Sequence, residues 1–438
     1  MPGATLGIWA NGHESLVAHG VLSTDTQVST TTDSLFQIGS ITKVWTATMI
    51  MQLVEERRLS LDTTVSEVLS RLHLGADDGS ADVTVRHLLT HTSGIDGDIF
   101  TDTGRGSDCV EIYVNSLAQA GRTHPIGAAY SYCNSGFVVL GRIIEVLDGL
   151  DWDASLRRRV VEPLGLAQTV TLPEEVIFHR AAVGHRDHPH ESDPVAVWSL
   201  PRSLGPAGLI TASVHDLLLF ARLHLDGGAS LDGARLLSPA SVESMQQPQF
   251  DIPSLGDQAD AVGLGWRLKR WGGRRIVGHD GGTIGQLAYL RIDPEAHVAA
   301  ALLTNSSVAD ALYEPLFREV FREYAGITMP TDPEPAAEPV GNIDLHRHVG
   351  RYERTSRRYD VSVRDGRLHV ISTMTGDRAA IGDDEGPEKF FLHPVDASGD
   401  HFVCRVHERE PWNSLTFDEF SDTTPYLYLG GRATRRIG

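Results

Sequence analysis

The spacing of apolar and polar positions changes several times along the chain. Residues 4–10 and 15–21 flank Asn11-Gly12, a dipeptide suited to a tight turn, and predict an opening β-hairpin. From Ser40 to Leu59 the apolar positions Ile41, Val44, Trp45, Met49, Ile50, Leu53 and Val54 surround much of a helix, which predicts a buried one. Phe137, Leu140, Ile143, Ile144 and Leu147 recur at helical spacing, and Gly149 supplies the stop. Ser213-Val214-His215-Asp216 has the pattern of a capping box ahead of a helix over Leu217 to Leu225. Strand patterns return at 274–278, 286–292 and 298–304, with Asp293-Pro294 starting a turn.

A hairpin, many helices and then more strands predict an α+β architecture: an antiparallel sheet closed late by C-terminal strands and flanked by helices. An all-helical insert is expected between roughly Asp62 and Asp187. Four prolines between Met329 and Pro339, interspersed with acidic residues, predict a linker over 329–342. Beyond it, short strands at Tyr359–Val363, Leu368–Ser372, Phe390–His393 and Phe402–Val406 alternate with turn signals such as Asp365-Gly366. They predict a small all-β barrel or sandwich over 343–438, a second domain after one spanning 1–328.

With 41% hydrophobic and 22% charged residues, the 438-residue chain has the composition of a globular protein. Its formal charge of −20 argues against nucleic acid or an anionic membrane surface as partner. No apolar run reaches the ~18 residues of a membrane span, and no basic segment with an apolar core opens the chain, so a cytoplasmic location is expected. Cys109, Cys133 and Cys404 are too few and too scattered for a disulfide framework. Only three of the 38 basic residues are lysines, Lys43, Lys269 and Lys389. Arginine serves most surface roles of lysine but keeps its proton, so a retained lysine invites inspection.

One of them lies in Ser40-Ile41-Thr42-Lys43, at the start of the buried helix. A spacing of three puts both side chains on one face, with the serine beside the free N–H groups of the helix start. Burial lowers a lysine pKa, and a neutral lysine can serve as base to a serine nucleophile. Tyr132-Cys133-Asn134 precedes the helix at Phe137; a phenol can relay a proton and an amide can hold a substrate carbonyl. Cys133 between them is expected to be buried and inert. His279-Asp280-Gly281-Gly282 ends a strand, where glycines admit a ligand backbone and the Gly282 N–H can join that of Ser40 as an oxyanion hole. His185, His188 and His190 form no metal-ligand spacing and predict a loop that is either solvated or at the site's rim; no metal is expected.

Taken in order, these stretches resemble the SxxK, YxN and [KH]xG motifs of the serine β-lactamase and penicillin-binding-protein superfamily, nearest its class C and D,D-peptidase branch. Phe36-Gln37-Ile38-Gly39, the run from His87 to Gly94 and Gly205-Pro206-Ala207-Gly208-Leu209 carry the same likeness, and Gly350-Arg351-Tyr352-Glu353 resembles the lipocalin-like domain of some members. The resemblance implies a β-lactamase-like fold over residues 4 to about 325 and a serine acyl-enzyme. Ser40 would be nucleophile, Lys43 its base and Tyr132 the proton shuttle, with His279 as the third motif's polar group. Asn134, Gly281 and Gly282 would hold substrate and oxyanion, without cofactor. The substrate would be a small molecule or peptide, with a D-residue peptidase, a carboxylesterase, a thioesterase cyclising nonribosomal peptides or a penicillin-binding sensor all open. Asp280 and Gly282 replace the hydroxyl residues of carboxylate-binding members. An ionised Asp280 facing the site would repel a carboxylate, whereas Arg432, Arg435 and Arg436 would attract one if the tail covered the cleft.

Overall fold

The computed structural model describes residues 1–438 except 71, 75–81, 189–190, 253–258, 338–339, 342, 377–385 and 407–410. The opening hairpin forms as its turn dictates. Strands β1 (Gly3–Ala10) and β2 (His13–Gly20) pair antiparallel, with Asn11 and Gly12 at φ 54° and 76°. Three helices then matter most for the site: α1 (Thr42–Glu55), α2 (Asn134–Asp148) and α3 (Val214–Leu225). Gly149 ends α2 in the left-handed region, as its place after the last periodic residue requires. Ser213 caps α3 by accepting from the Asp216 N–H, but the predicted box is only half formed. The Asp216 carboxylate turns instead to Gln168 and Thr169.

Strands β3 (Phe250–Asp251), β4 (Ala261–Val262), β5 (Arg267–Trp271), β6 (Arg274–Gly282), β7 (Leu287–Asp293) and β8 (Val298–Thr304) complete an eight-stranded antiparallel sheet in the order β2-β1-β8-β7-β6-β5-β4-β3. Strand alternation splits its two faces. Ala299, Ala301 and Leu303 pack toward α1, α2 and α3, while Val298, Ala300 and Leu302 pack toward α4 (Asp310–Ala325). Trp45 of α1 stacks on Phe220 of α3, with ring centroids 3.9 Å apart. The insert between Asp62 and Asp187 is not all-helical: helices are its main regular elements, but loops and short strands join them. Thr169–Val170 pairs with Thr211–Ala212 in a small three-stranded sheet, and His185–Asp187 pairs with Ser192–Pro194.

The tail contributes β9 (Gly350–Arg354), β10 (Arg357–Arg364), β11 (Arg367–Met374), β12 (Glu388–Phe391), β13 (His393–Pro394), β14 (His401–Cys404), β15 (Asn413–Glu419), β16 (Pro425–Leu429) and β17 (Arg432–Arg436). They form a nine-stranded sheet in the order β12-β11-β10-β9-β17-β16-β15-β14-β13. Its two edge strands are joined by Leu392 alone, so the sheet curls into a nearly closed barrel around Tyr352, Val370, Phe402, Leu415 and Leu427. A further apolar cluster joins Tyr426, Tyr428 and Ala433 of this barrel to Tyr130, Tyr132 and Val262 of the first sheet's domain. The barrel is thus packed against the motif residues. Among the described residues no helix is long and apolar enough to cross a membrane.

Candidate active site

Ser40 sits in a 3₁₀ turn, Gly39–Ile41, that runs directly into α1. The turn is pressed against the end of β6. A Cβ on Gly281 would lie 1.9 Å from the Ile38 oxygen and 3.1 Å from the Ser40 nitrogen, and one on Gly39, at φ +51°, 2.7 Å from the Gly282 nitrogen. Only glycine fits this crossing. It brings the Ser40 and Gly282 amides together at one wall of a cavity of about 640 Å³, also lined by Tyr132, Asn134, Gly281, Arg267 and Arg432.

Lys43 is fully buried, with Nζ 3.1 Å from Ser40 Oγ and 2.6 Å from the Ala207 carbonyl oxygen. The carbonyl anchors one N–H, which leaves a neutral amine free to accept the serine proton. Burial holds the Lys43 pKa well below its ordinary value; the charges of Arg267 and Arg432 add to this, against a smaller opposing pull from Asp98. Tyr132 lies over Lys43, with Nζ 4.9 Å from its ring centroid. Its buried hydroxyl is turned toward that of Ser40. Burial pushes its pKa up, opposed by Arg267 and by the Ser40 hydroxyl, so the phenol keeps its proton.

Residues 131–133 are held from both sides. His91, at φ 59°, accepts the Ser131 N–H on its carbonyl oxygen and the Cys133 N–H on Nδ1 at 2.9 Å, while its ring packs 4.5 Å from that of Tyr132. From the tail, the Gly431 carbonyl oxygen accepts the Tyr132 N–H at 2.8 Å, and Ala433 donates to Ser131 Oγ. Cys133 is buried, as expected, with a thiol pKa pushed up to about 12 by burial. Its sulfur also has a structural task, accepting the Gly136 N–H to cap α2. Asn134 faces the cavity and donates to Asp98 at 3.0 Å.

Two expectations need correction. His279 reaches the cluster but lies behind Tyr132, with ring centroids 6.0 Å apart, and does not line the cavity. Its Nδ1 donates to the Asp280 carbonyl oxygen at 2.6 Å, Nε2 has no partner among the described residues, and burial beside Arg267 and Lys43 holds it neutral. Asp280 does border the cavity, yet it is no free negative charge. It shares the face of β6 that carries Ile276, pairs with Arg291 at 2.5 Å and lies 3.6 Å from Arg267. Of the three tail arginines, Arg432 alone lines this cavity; Arg435 is exposed, and Arg436 turns to the Arg347 carbonyl oxygen. The charged lining is therefore Arg186, Arg267 and Arg432 against Asp280, a cationic cleft in an acidic chain. His185 is buried, accepting from the Thr24 N–H and bonded to the Asn305 carbonyl oxygen, and His190 lies outside the described residues. Among the described residues no group of side chains is arranged to hold a metal.

Sequence reasoning missed Asp98 and Arg267. No motif marks either; only the chain's return to the site from distant positions brings them there.

The beta-lactamase family pattern matches residues 1–321. Penicillin-binding protein 4 of Amycolatopsis lactamdurans is 45% identical over 357 residues, covering 81% of this chain and 93% of that protein. Among solved structures, SurE superposes with a TM-score of 0.79 at 27% identity over 99% of this chain and 95% of its own, and SurE with D-Leu does so with a TM-score of 0.76. The D-amino acid amidase from Ochrobactrum anthropi SV3, complexed with D-phenylalanine, superposes with a TM-score of 0.61 at 25% identity over 73% of this chain and 94% of its own. With the family pattern covering most of the chain and a relative at this identity over four-fifths of it, the protein belongs to the beta-lactamase family of serine hydrolases.

Proposed function

We propose that the protein forms an acyl-enzyme on Ser40 and acts on amide or ester bonds of small peptides at a D-configured residue. The observation that carries this is the contact of a fully buried, pKa-depressed Lys43 with Ser40 Oγ at 3.1 Å. Lys43 accepts the Ser40 proton as Oγ attacks the carbonyl, and the N–H groups of Ser40 and Gly282 receive the oxyanion. The proton passes through the Tyr132 hydroxyl to the leaving group as the C–N or C–O bond breaks. Water then adds to the ester by the reverse route and releases the acid. Asn134 holds the substrate amide, and His279 supports Tyr132 from behind. Residues 1–328 carry this chemistry, and 343–438 form one wall of the site. The D preference is supported by the relative solved with D-Leu and by the likeness to an enzyme named as a D-amino acid amidase.

A second reading replaces water by an amine, which gives acyl transfer or ring closure. It is favoured by the cleft's walls. Phe100, Leu200 and Leu204, with Met374 from the tail, add apolar surface beside the cleft's arginines, against which a tethered peptide amine could pack. A fluorophosphonate should label Ser40 alone, and Ser40→Ala should not be labelled. Lys43→Arg keeps charge but not basicity and should lower turnover at least ~10²-fold. Thioesters of one peptide ending in a D- or an L-residue, with products resolved by mass, distinguish acid from amide or cyclic product. Equal rates for both configurations would remove the D preference, and a single stoichiometric burst without turnover would make the protein a sensor.

A further inference from the structure

We propose that His91 is a positioning residue for the Tyr132 proton shuttle: without touching substrate, it holds the phenol where the leaving group departs. The inference rests on the acyl-enzyme reading and deepens it by naming what places its proton donor. His91 is buried in the run His87–Gly94, which contributes none of the side chains that line the Ser40 cavity.

Residues 129–133 belong to no helix or strand, so no ladder fixes the place of Tyr132. Successive N–H groups of an extended chain point to opposite sides. On one side those of Ser131 and Cys133 both go to His91, to its carbonyl oxygen at 2.8 Å and to Nδ1 at 2.9 Å. On the other side the Tyr132 N–H goes to the Gly431 carbonyl oxygen. One residue thus brackets Tyr132 from both neighbours. It does so at φ 59°, a left-handed conformation that His, Asn and Asp tolerate better than most residues. The imidazole also packs on the phenol ring, 4.5 Å between centroids, and is itself wedged by Phe137 at 5.1 Å and Tyr130 at 5.5 Å.

The bracket needs a neutral imidazole, because a proton on Nδ1 would face the Cys133 N–H. Burial is the main reason the ring stays neutral, and the charges of Lys43, His279, Arg267 and Arg432 act in the same direction. Losing the Nδ1 acceptor would leave a buried N–H unpaired and free residues 131–133 to shift. The step most sensitive to such a shift is proton delivery by the phenol to the departing atom.

The test varies the leaving group on the full-length protein. One D-residue acyl group is offered as its amide, whose amine must be protonated to leave, and as its p-nitrophenyl ester, whose phenolate leaves unaided. His91→Gly removes the acceptor and tolerates the backbone conformation. It should lower kcat/KM on the amide about 100-fold, change the nitrophenyl ester less than about threefold, and keep fluorophosphonate labelling of Ser40. His91→Asn keeps an acceptor at the same distance from Cβ and should recover most of the amide rate. In a Tyr132→Phe background, His91→Gly should add little further loss. Should His91→Gly be too unstable to assay, His91→Gln, whose acceptor sits one bond further out, takes its place with the same expectation. Equal losses on amide and ester, an Asn variant no faster than the Gly variant, or full additivity with Tyr132→Phe overturns the proposal. Failure of wild-type Ser40 to be labelled by a fluorophosphonate would overturn the acyl-enzyme reading itself, and shows before any variant is made.

Discussion

Two carboxylates each tie down an arginine beside the Tyr132 ring, and they do so in different ways. Asp280 lies on β6, and its partners Arg291 and Arg267 come from the neighbouring strands β7 and β5 of the same sheet. Asp98 comes from the helical insert, and its partners Arg432 and Arg354 come from the tail, at 2.7 and 2.8 Å. Arg267 and Arg432 end up equally placed, each 4.9 Å from the Tyr132 ring centroid. The first knot forms once its own sheet has formed. The second exists only when the tail is docked, and Asp98 also receives the Asn134 amide. Half of the electrostatic frame around Tyr132 and Lys43 is thus supplied by the barrel, which makes the tail a part of the site.

Cutting each knot at its carboxylate should separate the two roles. Asp98→Ala leaves Arg354 and Arg432 without their counter-charge and releases Asn134. Breaking a buried pair from one side costs about 3–5 kcal/mol, and activity should fall about 100-fold as Asn134 loses its hold. Limited proteolysis should then cut ahead of residue 343 and free the barrel. Asp280→Ala should lower Tm by less, since its carboxylate is more exposed than that of Asp98, and should leave the barrel protected. Equal protection of the barrel in both variants would show that the apolar contact of Tyr426, Tyr428 and Ala433 holds the tail without Asp98.

The Asp280 knot has its own pH signature. Burial works to raise the Asp280 pKa, but Arg291 more than offsets it, with smaller help from Lys269 and Arg267, and the carboxyl is held at about 2 against its ordinary 3.8. A depressed acid contributes stability above its unfolded pKa and loses it as pH falls through the folded one. The contribution should therefore be complete above pH 4 and disappear toward pH 2. Thermal unfolding of wild type and Asp280→Asn across that window should converge at the acid end. Parallel curves would mean that the pair has no net effect on stability.

The two knots also show what was legible in the chain beforehand. Ser40 and Lys43 are three residues apart across a 3₁₀ turn and the start of α1, so their contact is local and their spacing announces it. The hairpin at Asn11-Gly12 and the helix over 134–148 are legible for the same reason. Asp98 and Arg432 are 334 residues apart, and each is one among many of its kind; nothing local selects them. Asp280 stands out in the sequence but its partner does not, because Arg291 faces it only through the β6–β7 register, Gly278 opposite Arg291. Net charge is no guide here either: −20 for the whole chain says nothing about a cleft lined by three arginines and one aspartate. In the tail, β17 reads Arg-Ala-Thr-Arg-Arg and buries only Ala433 and Thr434, too little apolar pattern to mark a strand that borders the site.

The smallest expected effect compares the two arginines directly, through the acid limb of kcat/KM. If Lys43 must be neutral to accept the Ser40 proton, activity rises with pH through the Lys43 pKa. Burial is the main cause of that lowered pKa; Arg267 comes next, Arg432 after it, and Asp98 opposes them. Removing a neighbouring positive charge stabilises the protonated amine, raises the pKa and moves the limb to higher pH. Arg267→Gln should therefore shift the limb upward more than Arg432→Gln, and Asp98→Asn should shift it downward. Because Arg432→Gln also loosens the tail, Arg432→Lys is the necessary companion: it keeps the charge, sacrifices the two-point contact with Asp98, and should lower kcat/KM while leaving the limb in place. The difference between those two variants isolates the field of the tail from its packing. A limb unmoved by Arg267→Gln and Arg432→Gln alike would mean that burial alone sets the Lys43 proton, and that the barrel serves the cleft only as a wall.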